Sequence, residues 1–137
     1  MFLNNVTKVE RIIAENLNAE RVSLSEVLVS DSNVFTPIHV LTPVNVECIS
    51  KIEKKEDVYE TKMVLRLKKE ELWNGATGHY AFRITCVDGT QYLIGMTERP
   101  FTKITSSETH PDKVTGAQGK TLTVEYVSSF EMPQIRL

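Results

Sequence analysis

Strict alternation of apolar and polar residues on both sides of Asp88-Gly89 is the feature that most limits how this chain can fold. Before this dipeptide the large side chains occupy every second position, at Tyr80, Phe82, Ile84 and Cys86. After it they do so again, at Tyr92, Ile94 and Met96. A period of two on either side of an Asp-Gly pair is typical of a β-hairpin.

The positions of the two apolar sets determine the length of the hairpin turn, because residues opposed across an antiparallel pair lie on the same face. A two-residue turn would place Ile84 opposite Leu93 and send Tyr92 to the other face. A three-residue loop at residues 87–89 pairs the large groups, namely Ile84 with Tyr92, Phe82 with Ile94 and Tyr80 with Met96. We predict this longer loop, with Gly89 at positive φ in a G1 bulge.

A second hairpin is predicted upstream, because two runs of sequence each place their apolar residues on one face of a strand. The first run contains Val44, Val46, Cys48 and Ile52, and the second contains Tyr59, Met63, Leu65 and Leu67. The charged residues 53–57 between them are typical of a solvated turn. Residues 121–128 alternate again and predict a further strand. Residues 69–73 predict a short helical turn, ended by Asn74-Gly75.

Near the N-terminus the pattern supports two interpretations. Val6, Val9, Ile13 and Leu17 lie at helical spacing, whereas the β-branched residues of the same stretch suit a strand. The sequence leaves both alternatives open.

Together these elements predict a mostly β fold, a small antiparallel β-sandwich or barrel with one short helix and a long loop. One domain over residues 1–137 is expected, since 41% hydrophobic and 25% charged residues are close to the globular average. The predicted core consists of the residues that hold the apolar parity of their strands: Val46, Cys48, Met63, Leu65, Phe82, Ile84, Ile94, Leu122 and Val124.

Residues 105–120 contain Ser, Thr, His-Pro and two Gly, and little that is apolar. This composition predicts a long exposed loop, poorly ordered in an isolated subunit and cut first by proteases.

Three motifs resemble functional sites without their required context. Gly119-Lys120-Thr121 resembles the end of a phosphate-binding loop. That loop needs a glycine five positions before Gly119, where this chain has Val114, and a helix after it, where a strand is predicted. The tripeptide at residues 110–112 matches that of J-domain co-chaperones, without helices predicted around it. Cys48 and Cys86 are too few for a disulfide framework and are expected to be buried thiols.

No catalytic, cofactor-binding or metal-binding residue is assigned, and no enzyme or cofactor is expected. His39, His79 and His110 lack ligand spacing to one another. A net charge of −2 does not favour nucleic acid. The basic stripe of Lys62, Arg66 and Lys68 is interpreted as a solvated face. No membrane span or secretory signal is recognised, so the cytoplasm is the expected location, or a virion.

The overall order of elements resembles small β-rich structural proteins of prophage tails or necks. The resemblance covers residues 44–128: a strand pair, a charged segment at residues 68–72, a Gly-bounded loop, the Asp-Gly hairpin, a long loop and a last strand. It implies a structural, self-assembling subunit that forms homo-oligomers or contacts other structural proteins, without chemistry. The alternative is a small β-barrel module that binds a peptide or small ligand.

Overall fold

A computed structural model describes residues 1–73, 75, 78–109 and 119–136 of the chain. The fold is mostly β, with one 3-10 helix at Ala14–Asn16. No helix in these ranges is long and apolar enough to cross a membrane. The strands are β1 (Phe2–Ile13), β2 (Ala19–Arg21), β3 (Glu26–Val29), β4 (Thr36–Pro37), β5 (Val44–Glu53), β6 (Glu56–Leu67), β7 (Tyr80–Cys86), β8 (Gln91–Ile94), β9 (Lys103–Thr109), β10 (Gly119–Ser128) and β11 (Gln134–Arg136).

All eleven strands belong to one sheet, in the order β2-β3-β11-β8-β7-β1-β5-β6-β10-β9, with β4 beside β1. Every pair is antiparallel except β11 with β3, which is parallel. The prediction of an antiparallel sandwich or barrel was therefore wrong in detail, since the sheet is open and mixed. Closing it would require β2 and β9 to pair, and both are edge strands in the described chain.

The main core lies on one face of this sheet and joins buried side chains from β1, β5, β6, β7 and β10. Because no second sheet or α-helix covers that face in the described ranges, the sheet curves and its halves cover each other. Trp73 and Gly75, which follow β6, lie between the halves, with Trp73 against Phe82 and Gly75 against Ile104 and Leu122. All nine predicted core residues are buried, which confirms that prediction.

The hairpin of β7 and β8 has the predicted register. Ile84 is opposite Tyr92, and Gly89 closes the three-residue loop with a φ of +92°. The predicted pairing of Met96 with Tyr80 is absent from the described pairs of this hairpin, which end at Phe82 with Ile94. Gly95 has a φ of +98°, and the chain changes direction there. Met96 then packs in a second cluster on the opposite face, with Leu93. Both faces of this hairpin are therefore covered by apolar contacts.

The N-terminal segment is a strand, and a β-bulge explains its helix-like spacing. Val6 pairs with Cys86 and Lys8 with Thr85, so one extra residue is inserted in β1. The bulge restores Val6 and Val9 to the same face although they lie three positions apart, and both are buried in the main core.

Two further predictions were wrong. Residues 69–73 form only a single turn after β6, with the Glu71 amide donating to the Lys68 carbonyl at 3.0 Å, and no α-helix follows. Residues 105–109, predicted as loop, form most of β9 and pair with β10, in which Gly119 and Lys120 also lie. The rest of the predicted loop, residues 110–118, lies outside the described residues.

The hairpin of β5 and β6 is confirmed, with a tighter turn than the charged segment suggested. Pairing continues to Glu53 opposite Glu56, so that only Lys54 and Lys55 remain in the turn. Both have positive φ, +49° and +67°, as a type I′ turn requires. Left-handed backbone is unfavourable for a residue with a side chain, and Asn-Gly is the preferred pair in this turn.

Replacing Lys54 by Asn and Lys55 by Gly together is expected to raise the free energy of unfolding by about 1 kcal/mol, because the strain of left-handed lysines is relieved. Urea denaturation of the double variant measures this change. The control Lys68→Asn alters an exposed lysine outside the turn and should leave stability within about 0.5 kcal/mol. Equal stability of the parent and the double variant would contradict the turn assignment.

Candidate interaction surface

The hairpin of β5 and β6 extends beyond the strands that flank it. On one side the last described contact beside β5 is at Cys48, whose carbonyl accepts from the Met1 amino group at 2.7 Å. On the other side β10 ends at Ser128, opposite Tyr59 of β6. Residues 50–58 therefore form a two-stranded ribbon with no described strand on either edge, here named the hairpin arm.

Apolar side chains of the arm and its base are exposed. Ile52 has the core-facing parity of β5, yet it is 78% exposed because the core does not reach the arm. Ile49, at the base, lies on the opposite face and is 44% exposed. Lys51 and Glu60 are joined across the two strands at 2.8 Å, and this hydrogen bond raises the pKa of Lys51. The arm is thus paired across its strands and carries one apolar side chain, that of Ile52, which the described chain leaves largely uncovered.

The outer face of the sheet next to the arm is charged. Glu47, Lys62, Glu125 and Lys103 are successive partners across β5, β6, β10 and β9, so their charges alternate in sign along one row. The predicted basic stripe of Lys62, Arg66 and Lys68 lies exposed on and just after β6. At Lys62 an acidic residue is the partner on each side, which interrupts a continuous basic surface.

At one end of the sheet, β9 pairs with β10 on one side only in the described chain. Thr105, Ser106 and Ser107 are exposed and uncharged, and β9 contains no proline. Edge strands of this length without a central charge are able to pair with another strand. The sheet therefore offers an exposed arm and an open edge.

The cysteines and histidines considered in the sequence analysis do not come together as a site within the described chain. Cys48 and Cys86 are free and buried, as predicted. Burial raises the pKa of the Cys86 thiol, and the charge of Asp88 adds to this, so little nucleophilic thiolate forms. No group of three or more His, Cys, Asp or Glu in the described ranges could hold a metal ion.

Two of the three histidines are described. His39 is exposed, and the His79 ring stacks on Phe101 with the ring centres 4.1 Å apart. His110 and the rest of its tripeptide lie outside the described residues. Lys120 and Thr121 are within β10, so the backbone after Gly119 is a strand rather than a phosphate-binding helix start.

Sequence reasoning missed a buried ion pair between neighbouring strands. Glu10 of β1 is 4% exposed and lies opposite Arg83 of β7. Arg83 Nε and Nη2 each donate to a different Glu10 carboxylate oxygen at 2.9 Å, and the guanidinium stacks over Phe35. The bulge in β1 hides the strand parity that would have predicted this pairing.

No known protein family, curated protein or solved structure matches the chain.

Proposed function

We propose that this protein is a self-assembling structural subunit, of the kind found in phage or prophage tails and necks. Its function would lie in packing between copies of the chain, without catalysis. The hairpin arm is the observation that carries this proposal, because it projects Ile52 into solvent on a ribbon already paired along its whole length.

Energetics support an arm that is covered in the working state. An isolated two-stranded ribbon is only marginally stable in water. Burying an isoleucine against a neighbour contributes about 1.5–3 kcal/mol, which both stabilises the ribbon and joins the subunits. The proposed occupant of the arm's surface is a second copy of this chain. Its open β9 edge offers backbone groups for strand addition.

Replacing Ile52 by Asp is expected to weaken self-association at least about tenfold, since a charge replaces the apolar contact. Size-exclusion chromatography with light scattering, from micromolar to millimolar chain concentration, measures the association. Negative-stain microscopy of the parent chain is expected to show rings or tubes.

Leu24→Asp is the matched control, because Leu24 is 75% exposed and lies in the connection from β2 to β3, away from the arm. This variant should assemble as the parent does. A parent chain that stays monomeric throughout, or an equal loss of assembly in both variants, would overturn the proposal.

A further inference from the structure

An aromatic cluster with an arginine stands at one end of the main core. The Trp73 ring meets Tyr80 and Phe82 edge to face, with centroids 5.1 and 6.0 Å away. The Arg11 guanidinium lies over the Trp73 ring, 5.1 Å from its centre. The arginine is on the core-facing side of β1, directly opposite Phe82 of β7.

The hydrogen-bonding groups of this cluster are incomplete. Arg11 Nη1 and Trp73 Nε1 are both buried, and neither has a hydrogen-bond partner among the described residues. Both are donors, so what the cluster lacks is an acceptor. Buried polar groups in folded proteins are nearly always paired, and an orphaned one requires an explanation.

A comparison with Arg83 shows what Arg11 lacks. Both guanidinium groups stack on an aromatic ring, and both arginines belong to the paired strands β1 and β7. Arg83 meets the Glu10 carboxylate through two hydrogen bonds, whereas Arg11 has no carboxylate partner in the described chain. A half-buried arginine without an acid has an unmatched charge and free planar donors.

A cleft of about 340 Å³ adjoins this arginine. Arg11 lines it together with Asn16, Ser32 and Tyr80, which carry polar groups, and with the apolar residues Ile13 and Val34. None of the described residues that line it is Asp or Glu. A few donors within apolar walls are typical of a site for a small amphipathic ligand.

We propose that this cleft binds a carboxylate borne on a short apolar group. The carboxylate would pair with the Arg11 guanidinium, and the apolar part would lie against Ile13 and Val34. A free small acid and the C-terminal carboxylate of a peptide share this chemistry. This proposal is independent of self-assembly, because the cleft lies at the end of β1 and beside β4, and no residue of the arm lines it.

Trp73 is the only tryptophan of the chain and contacts Arg11, so its fluorescence should respond when a ligand binds to that arginine. Titration with hexanoate, and with an N-acetylated tripeptide ending in leucine, tests the two sources of carboxylate. We expect a saturable change with at least one probe, and an at least tenfold weaker response to its neutral amide. The tighter of the two probes identifies the source.

Arg11→Met keeps an unbranched apolar stem and removes the guanidinium and its charge, and is expected to weaken binding at least about tenfold. Arg21→Met is the matched control, since Arg21 also lies over an aromatic ring, that of Phe130, in a separate cleft. Repeating the titration in Ile52→Asp separates binding from assembly, and the affinity there should equal that of the parent.

Three results would overturn the proposal: no saturable change at up to about 10 mM of either probe, equal affinity for the amide, or unchanged affinity in Arg11→Met. The thermal midpoint of the ligand-free chain supplies a second measurement. Because Arg11→Met removes an orphaned donor, the midpoint should stay equal or rise. If the midpoint of Arg11→Met falls and no effect of the carboxylate is seen, Arg11 is a packing residue. Water is then the acceptor for its unpaired donor.

Discussion

Replacing Phe82 by Ala is expected to lower the free energy of unfolding by about 3–5 kcal/mol. The side chain is fully buried on β7, contacts Trp73 and lies opposite both Arg11 and Ile94. Its removal leaves a cavity where the two halves of the curved sheet face each other, and a rigid β-sheet collapses poorly around such a space. Urea denaturation followed by circular dichroism measures the loss.

Phe2→Ala provides the matched control, because the same chemical change is made in a side chain that is 62% exposed. That variant should lose less than about 1 kcal/mol. Similar losses in the two variants would show that burial is not what distinguishes these phenylalanines, and the core assignment would fail.

Glu10→Gln is expected to cost about 3 kcal/mol, since it leaves the Arg83 charge without its acid in a largely buried place. Glutamine keeps the size of the side chain, so the loss reports on charge and hydrogen bonding rather than on a cavity. Thermal and urea unfolding of the variant both measure it. Adding Arg83→Met should recover part of the loss, because the pair is then replaced by uncharged groups of similar volume.

The exposed pair of Arg136 and Glu26, 3.3 Å apart, gives the comparison. Glu26→Gln should cost less than about 1 kcal/mol, because water screens the charges and solvates the remaining arginine. If Glu10→Gln costs no more than Glu26→Gln, the buried pair contributes nothing beyond a surface contact, and the Arg83 position is held by its stacking on Phe35.

Local patterns predicted the parts of the fold in which neighbouring strands are also neighbours along the chain. The parity of Phe82 and Ile84 against Ile94 and Tyr92 determined the register of β7 and β8. The other face of this hairpin is covered as well, since Leu93 is buried in the second cluster. The predicted register is nevertheless correct, because Tyr92 and Ile94 pack in the main core.

Pairings between distant segments could not be read from one sequence. The polar composition of β9 is typical of a loop, and only its partner β10 makes it a strand. Ile52 lies on the face of β5 that is apolar, but its exposure depends on which distant segments lie beside the hairpin, and the described pairing of β10 with β6 ends at Ser128. The Arg11 cluster could not be predicted from the sequence, because the bulge in β1 shifts the alternation that shows which residues of the strand face the core.

The position of β11 has a consequence for the order in which the chain folds. Strands β2 and β3, within the first thirty residues, are hydrogen-bonded to the rest of the described sheet only through residues 134–136. A ribosome therefore releases this early hairpin more than a hundred residues before its partner is synthesised. Until then Val27, fully buried in the finished protein, lacks Ile135 as a neighbour. Completion of this part of the sheet therefore waits for β11, and nascent chains that lack β11 are the ones a chaperone should recognise.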